Sequence, residues 1–323
     1  MRAVVLQATG GPEMLLPAEV SEPKAGPGQV LVRTEAIAVS RGETMMRSGA
    51  IPLPYALPAV IGAEAAGIVA DVGEGADPGL AGARVTMVTG GAGSYAEFIA
   101  VDAAMTVRVP DGLNAVEAVA VAAPGAMALG LLDRAAARSG ETLLIEGGSG
   151  AAGGYVVSLA RELGARRIIA TAGTHAGREQ VRELGADVVL DHADPDWPSG
   201  LPAALDGHTL DVAFDAAGGA AAGRVLDLLT PSSGRMVCYG VLSGSPPALD
   251  LATVLSRGLQ VIGCGGPGWF RQILGVHYPE ILDRAARGEV QPRIGAVLPL
   301  AEAPEAHRRT ASRAVTGRIV LVP

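Results

Sequence analysis

The chain contains 323 residues, of which 49% are apolar and 18% are charged, and its 25 basic and 33 acidic side chains give a formal net charge of −8. This length accommodates two domains with separate hydrophobic cores. A net negative charge repels a phosphate backbone and argues against nucleic acid as a partner. The one basic cluster, His307-Arg308-Arg309 with Arg313, is interpreted as a solvated helix face.

The sequence shows neither the pattern of a signal peptide nor that of a membrane-spanning helix. No uninterrupted apolar stretch approaches the length of a membrane-spanning helix. The segment Met1–Gln7 is typical of a short strand and lacks the apolar core and cleavage site of a signal peptide. We therefore expect a cytoplasmic protein with no membrane partner. In that compartment Cys238 and Cys264 are expected to be buried, inert thiols, and two thiols do not provide a four-cysteine zinc site.

The first part of the chain, to about residue 115, predicts a compact and mostly antiparallel β domain. Short β-like runs are separated there by Gly and Pro residues. These runs are Gln29–Ala38, Val60–Val72, Arg84–Val88 and Tyr95–Val101.

The pattern changes at about Asn114, where apolar helical segments (Ala115–Ala123 and Ala126–Ala137) lead into an alternation of strands and helices. The predicted strands are Thr142–Ile145, Arg167–Thr171, Val188–Leu190, Val212–Phe214, Arg235–Tyr239 and Leu259–Ile262. The helices predicted between them include Gly154–Leu163, Gly177–Leu184 and Gly223–Leu229. Such alternation predicts a parallel sheet covered on both faces, and six strands is the number in a doubly wound dinucleotide-binding fold.

Domain boundaries follow from these two patterns. We expect a β-rich domain over residues 1–118, completed by residues 266–323, and a dinucleotide-binding domain over residues 119–265. The last strand-like run, Gly317–Val322, is expected to return to the first domain.

A strand–turn–helix unit with three regularly spaced glycines is the strongest functional signal. The apolar run Thr142–Ile145 leads into Gly147, Gly150 and Gly153, and Ala151 and Ala152 begin a helix-compatible segment. Glycines allow a tight turn whose backbone N–H groups approach a pyrophosphate, and the helix N-terminus adds favourable partial charge. The alternative is an ordinary glycine-rich loop.

The residues after the second and third predicted strands favour NADPH over NADH. The second strand is not followed by the acid that would bind the ribose 2′-hydroxyl of NAD; Gly173, Thr174 and, a few residues on, Arg178 are found instead. A guanidinium there can pair with a 2′-phosphate, although an arginine on a helix face is usually only solvated. His192, after the third strand, either reaches the same phosphate or is a loop histidine.

Residues after the fourth and fifth strands extend this predicted site. Asp215 lies where the cofactor would cross the sheet edge, although capping of the following helix is an equally good interpretation. Tyr239 and Gly240 close the fifth strand, and the glycine permits close approach of the nicotinamide half.

Several motifs occur in the order expected for one known family. They are Gln29–Arg33, Ala36–Gly49, Val60–Val69, Gly93–Phe98, the glycine turn and Leu184–Asp187. With them the chain resembles, almost end to end, the zinc-independent quinone-oxidoreductase branch of the medium-chain dehydrogenase/reductase superfamily.

This resemblance implies a GroES-like first domain, a Rossmann second domain, a cleft holding NADPH, and a homodimer formed through the last strands of the two Rossmann sheets. It also implies a set of cofactor contacts, namely Ser40, Met127, Arg178, His192, Tyr239, Gly240, Val241, Leu242 and Arg313. Ser40, Met127 and His192 depart from the Asn, Thr and Tyr that relatives commonly have there.

The resemblance also bears on zinc. Zinc-dependent relatives have Cys in the segment that matches Ser40 and His-Glu where this chain has Ala63-Glu64. Because a catalytic zinc needs thiolate or imidazole ligands, we expect no catalytic zinc, and we interpret Glu64 as a structural carboxylate.

The expected activity is reduction of quinones or α,β-unsaturated carbonyls by hydride from NADPH, with a hydrogen-bond donor stabilising the enolate. The candidate donors are Ser40, Arg47, Tyr55 and Tyr95, and water is an alternative. Met45 occupies the place of a tyrosine often found in quinone reductases. Two other functions stay open: an enoyl reductase of secondary metabolism, and a nucleotide-binding protein with little turnover.

Overall fold

The computed structural model describes residues 1–313 and 315–323 and divides them into two compact units. The first comprises residues 1–123 and 278–323, and the second comprises residues 124–277. The predicted boundaries lay at 118/119 and 265/266. The two units divide inside the helix Ala115–Arg134 and directly after the π-helical turn Ile273–His277.

The strands, in chain order, are β1 (Arg2–Leu6), β2 (Leu15–Glu19), β3 (Gln29–Val39), β4 (Ala59–Val60), β5 (Glu64–Val72), β6 (Arg84–Val88), β7 (Phe98–Asp102), β8 (Thr106–Arg108), β9 (Thr142–Ile145), β10 (Arg167–Thr171), β11 (Val188–Leu190), β12 (Val212–Asp215), β13 (Arg235–Cys238), β14 (Gln260–Gly263), β15 (Ile294–Pro299) and β16 (Arg318–Val322). The α-helices are α1 (Arg41–Ser48), α2 (Ala115–Arg134), α3 (Ala151–Leu163), α4 (His175–Glu183), α5 (Leu201–Leu205), α6 (Ala221–Leu226), α7 (Leu251–Arg257), α8 (Gly266–Gln272), α9 (Tyr278–Ala286) and α10 (Ala303–Ser312).

The first unit is built on a predominantly antiparallel sheet in the order β15-β16-β3-β5-β6-β8, with β7 also paired to β3. A smaller sheet has the order β2-β1-β4. The predicted return of the C-terminal segment is confirmed, because β16 pairs with β3 and places Val320 opposite Ala38. Side chains from these strands, among them Val32, Ile37 and Leu321, form the buried core of the unit.

The second unit is a parallel sheet in the order β11-β10-β9-β12-β13-β14. This is the doubly wound order. The chain adds β10 and β11 on one side of β9 and then crosses over to add β12, β13 and β14 on the other side. Every residue of β9 is buried, as expected for a central strand covered on both faces. The predicted bounds of β9, β10 and β11 are confirmed. The strands β12 and β13 each differ from their predictions by one residue at one end, and β14 is shifted by one residue at both ends.

The helix α2 corrects one expectation about apolar stretches. The helix has 20 residues and contains an 18-residue window with a mean hydropathy of 1.8, which by length and composition alone suffices to cross a membrane. However, 72% of the apolar window is buried inside the protein, as in the core helix of a folded domain. The two helical segments predicted here are also one continuous helix, which accommodates Pro124.

An ion pair in the first unit joins the C-terminal strand to β5. An Nη2 atom of Arg318 lies 2.7 Å from Oε2 of Glu64, and the side chains are 8% and 16% exposed. Burial opposes the charge on Arg318, but Glu64 and then Glu43 favour it, and the net pKa of the guanidinium is raised. Glu64 is thus a structural carboxylate, as interpreted from the sequence.

We expect Arg318→Met to lower the free energy of unfolding by about 3 kcal/mol, because it leaves the Glu64 carboxylate without its partner. Arg33→Met is the matched control, since Arg33 is 52% exposed in its pair with Glu35 and its loss costs below about 1 kcal/mol. Urea denaturation of both variants measures the difference. Equal losses would show that the buried pair contributes no more than a surface one.

Candidate functional site

In the turn between β9 and α3, the backbone at Gly153 lies so close to the backbone at Gly147 that no side chain fits between them. A Cβ atom added to Gly153 would lie 2.3 Å from the carbonyl oxygen of Gly147. Gly147 itself has φ +68°, a left-handed conformation that favours glycine. Only glycine therefore fits at these two positions of the predicted phosphate-binding turn.

The same turn presents the N-terminus of α3. Gly150 is the N-cap and, within the described part of the chain, no side chain caps this helix end. The turn is held from β10, because Thr171 accepts the Gly147 N–H at Oγ1 (3.0 Å) and the Gly148 N–H at its carbonyl (2.8 Å). The first turn of α3, with Ala151 and Ala152, thus has the free N–H groups and the partial positive charge that favour an anion such as a pyrophosphate.

The neighbouring strands β10 and β11 end in polar side chains. Thr174 caps α4 by accepting the Gly177 N–H at 3.1 Å, and Gly173 precedes it. Arg178 donates from Nη1 to Oδ2 of Asp191 at 2.6 Å. The Nδ1 atom of His192 lies 2.9 Å from Oγ1 of Thr171 and is thereby linked to the glycine turn.

The loops after β12 and β13 run beside each other. Asp215 is buried and accepts the N–H groups of Ala217 (3.0 Å) and Gly218 (2.6 Å) in the loop that follows β12. The expected capping of the next helix is wrong, because α6 has Ala220 as its N-cap and no side chain among the described residues caps it. A Cβ atom on Gly240 would lie 2.3 Å from the Ala216 carbonyl oxygen. The close approach of these two loops therefore requires glycine at position 240 as well.

The remaining predicted cofactor contacts of this unit differ in exposure. Val241 and Leu242, beyond β13, are 48% and 44% exposed, which is unusual for apolar side chains. Tyr239 is half-buried, and burial raises the pKa of its hydroxyl. Met127 lies half-buried on α2.

A buried acidic pair that the sequence did not predict lies at the same sheet edge. Burial, and then the charge of Asp215, raise the pKa of the Glu146 carboxyl to about 9. Glu146 is therefore protonated at neutral pH. Burial also raises the pKa of the nearby thiols, to about 12 for Cys238 and about 11 for Cys264. Both thiols are weakly acidic, in line with inert cysteines, but they are half-buried and not buried as expected from the sequence.

In the first unit Ser40 and Glu43 form a capping box at the start of α1. The Ser40 hydroxyl accepts the Glu43 N–H at 3.2 Å, and a Glu43 carboxylate oxygen accepts the Ser40 N–H. The other oxygen of Glu43 accepts the Ala63 N–H at 2.8 Å. Burial raises the pKa of Glu43 to about 7 against the opposing effect of these hydrogen bonds.

Two further predicted donors line one narrow crevice of the first unit. The Tyr55 hydroxyl donates to the Gly91 carbonyl at 3.0 Å, and burial raises its pKa. Arg47 is buried and donates from Nη1 to the Gly10 carbonyl, which ties it to the framework. The crevice is lined by Leu6, Glu43, Met46, Arg47, Leu53, Tyr55, Ile61 and Gly91.

Tyr95 does not fit its predicted role as a donor. Its side chain is fully buried, and its hydroxyl lies 2.9 Å from Nε2 of His307, inside the core of the first unit. His307 is fully buried too, so it corrects the prediction of a solvated cluster; burial lowers the pKa of this imidazole to about 3. Burial of both side chains needs contacts between distant segments, and no local pattern indicates it.

A pair of guanidinium groups in the first unit includes one residue that the sequence did not single out. Arg41, on α1, loses some of its basicity through burial and then through the nearby charge of Arg313, so its pKa is lowered. The Nε atom of Arg41 is buried without a hydrogen-bond partner among the described residues. Two like charges of this kind are stabilised by an anion.

The zinc ligand positions do not fit a catalytic metal. Ser40 is engaged as a helix cap and Ala63 has no donor side chain, while Glu64 is paired with Arg318. Across residues 1–313 and 315–323, no three His, Cys, Asp or Glu side chains come together as a metal site.

Comparison with known families agrees with this arrangement. Residues 26–111 match the family described as alcohol dehydrogenase GroES-like domain, and residues 151–277 match the family described as zinc-binding dehydrogenase. The fold is therefore that of a GroES-like domain combined with a Rossmann-type parallel sheet.

Individual relatives align over nearly the whole chain. A quinone oxidoreductase of Rattus norvegicus is 30% identical, covering 95% of this chain and 93% of its own length. A 2-haloacrylate reductase of Burkholderia sp is 29% identical, covering 99% and 98%. The crystal structure of a quinone oxidoreductase of Escherichia coli in complex with NADPH superposes with a TM-score of 0.90 at 28% identity and covers 100% of both chains.

The fold and the glycine turn thus define a two-domain oxidoreductase. The chain belongs to the quinone oxidoreductase-like branch of the medium-chain dehydrogenase/reductase superfamily.

Replacement of the buried carboxyl in Glu146→Gln should change how stability depends on pH. The native pKa of about 9 exceeds the ordinary value of 4.5, so Glu146 contributes stability that is complete below pH 4.5 and is lost as pH rises toward 9. The stability of Glu146→Gln relative to wild type should therefore rise across this window, by at most about 1.4 kcal/mol per pH unit.

Urea denaturation at pH 5, 7 and 9 measures this difference. Glu183→Gln, at an exposed position of α4, is the control and should show no such trend. A difference for Glu146→Gln that is constant with pH would mean that Glu146 is ionised in the folded protein.

Proposed function

We propose that the protein is an NADPH-dependent, zinc-independent reductase of quinones or α,β-unsaturated carbonyls. One observation carries this proposal: the backbone at Gly153 lies so close to the Gly147 carbonyl that no side chain fits between them. This close approach places the uncapped N-terminus of α3 at the switch point of a doubly wound sheet. The relatives named quinone oxidoreductase and 2-haloacrylate reductase, and the NADPH in the Escherichia coli structure, support it.

NADP(H) is the cofactor. The turn from Gly147 to Gly153 binds the pyrophosphate, and Arg178 lies where a 2′-phosphate would be recognised. The strand β10 is followed by Gly173 and Thr174 rather than by the acid that selects NAD. His192 and the loop residues Tyr239 to Leu242 complete the proposed contacts.

The chemistry is reduction without a Lewis acid. The bound nicotinamide supplies a hydride to an electrophilic carbon of the substrate. Tyr95, Arg47 and Tyr55 are committed to the framework, and Tyr55 would have to leave the Gly91 carbonyl to act as a donor. The Ser40 hydroxyl accepts the Glu43 N–H and keeps its own O–H to stabilise the developing oxyanion. Water supplies the proton where neither side chain does.

Zinc takes no part in this proposal because the ligand positions hold Ser40 and Ala63. Without thiolate or imidazole, these positions cannot hold the metal that polarises an alcohol. The favoured substrates are therefore already electrophilic. Similarity to a 2-haloacrylate reductase supports activated alkenes as substrates in addition to quinones.

The protein is proposed to act in the cytoplasm as a homodimer that pairs two copies of β14. This edge strand has one free side in the sheet order, and Val261 is 39% exposed. Leu251 and Leu255, on the neighbouring α7, are 71% and 82% exposed. An exposed edge strand flanked by large apolar side chains is typical of a surface covered by another subunit.

The activity is tested by stopped-flow oxidation of NADPH against one panel of quinones and one of enones, with zinc measured by elemental analysis. We expect turnover with at least one panel, and substoichiometric zinc. The enone panel includes enoyl thioesters, and turnover restricted to these would favour a tailoring reductase instead. Tight NADPH binding with silence on every panel would favour a binding protein.

The variant Gly153→Ala should weaken NADPH binding by at least about tenfold, because the new Cβ must push α3 away from the Gly147 carbonyl. Fluorescence titration of NADPH measures the effect. Gly268→Ala, where an added Cβ meets no atom within 4 Å, is the control. Unchanged affinity in the folded Gly153→Ala variant would place the dinucleotide elsewhere.

The dimer is tested with Leu255→Asp, which introduces a charge on the proposed interface. Sedimentation velocity should show wild-type dimers and a shift of the variant toward monomers. Leu16→Asp, at a 47% exposed position on β2, should leave the dimer intact. Dimers of undiminished strength in Leu255→Asp would rule out this surface.

A further inference from the structure

The first turn of α4 borders the glycine turn of the second unit. Strands β10 and β11 pair in parallel, with Thr171 opposite Leu190, so their carboxyl ends lie side by side. A Cβ atom on Gly177 would lie 3.1 Å from Cβ of Ser149. Arg178 follows Gly177 directly, so its backbone lies in the region where such folds bind the adenosine ribose.

Asp191 holds this arginine in place. One carboxylate oxygen accepts from Nη1 of Arg178 at 2.6 Å, and the other accepts the Ala193 N–H at 2.9 Å. The Arg178 side chain is 22% exposed and that of Asp191 is 43% exposed. The carboxylate is thus fixed at two points, and the guanidinium is turned toward it.

This pair changes what a phosphate group encounters. A charge-assisted bond of this length offsets much of the positive charge that Arg178 would otherwise offer. A 2′-phosphate also carries charge of the same sign as Asp191, so it is repelled while it competes for the guanidinium. A 2′-hydroxyl carries no charge, so Asp191 neither repels it nor competes with it for the guanidinium. Because the pair is partly exposed, it is weak enough to be displaced.

We propose that Asp191 determines cofactor specificity by occupying Arg178, and that it limits how strongly the protein prefers a 2′-phosphorylated dinucleotide over one with a free 2′-hydroxyl. This inference rests on the proposed NADP(H) function and deepens it. Asp191 acts through Arg178, so it is a positioning residue for the recognition of the phosphate.

The test uses two ligand fragments, adenosine 2′,5′-bisphosphate and 5′-AMP, which differ only in the 2′-phosphate. Isothermal titration calorimetry of the whole protein gives their affinities, together with those of NADPH and NADH. Asp191→Asn should tighten the bisphosphate about five- to tenfold and change 5′-AMP less than about twofold. Arg178→Ala should weaken the bisphosphate about tenfold. The gain from Asp191→Asn should largely vanish in the double variant.

Two controls on α4 separate the effect of position from that of net charge. Glu183→Gln removes one negative charge, and Arg182→Ala removes one positive charge, at exposed positions of the same helix. Each should change the affinity for the bisphosphate less than about twofold. Circular dichroism and thermal unfolding establish that every variant is folded.

The inference is overturned if Asp191→Asn tightens the bisphosphate no more than Glu183→Gln, or if it tightens 5′-AMP equally. Either result leaves the proposed function intact as long as wild type binds NADPH. A wild-type protein that binds neither NADPH nor NADH would overturn both the inference and the proposed function.

Discussion

The approach of α3 to the turn after β9 is the constraint on which the second unit depends. At Gly153 a single methyl group would collide with the Gly147 carbonyl, so the helix can reach this position only because the side chain is absent. The parallel sheet fixes β9 from both sides, and Thr171 of β10 holds the turn by two hydrogen bonds. The helix end is consequently presented at the sheet edge with its N–H groups directed outward.

An anion site at this edge has to coexist with two buried acids. Glu146 is neutral at pH 7 because burial and the neighbouring charge raise its pKa to about 9. The Oδ1 atom of Asp215 accepts the N–H groups of Ala217 and Gly218, which partly compensate its charge. The pair therefore adds one compensated negative charge instead of two free ones, and the partial positive charge of α3 remains effective for phosphate.

The first unit uses most of its polar side chains for its own framework. Ser40 and Glu43 cap α1, Arg318 neutralises Glu64, and Tyr95 with His307 is enclosed in the core. Positions that hold metal ligands in zinc-dependent relatives thus have structural tasks here. This use of the polar side chains agrees with the proposed reductase, in which a bound nucleotide supplies the reducing power and the substrate is already electrophilic.

The sequence by itself determined the two-domain architecture, the strands β9 to β11, the return of β16 and the glycine turn. All of these follow from local apolar periodicity, glycine spacing or motif order. Only the tertiary structure decided the partners of Arg178 and Tyr95, the clustering of Arg41 with Arg313, and the protonation of Glu146. These features depend on contacts between segments far apart in the chain and on burial, which sets the cost of a charge, and neither is encoded in the spacing of neighbouring residues.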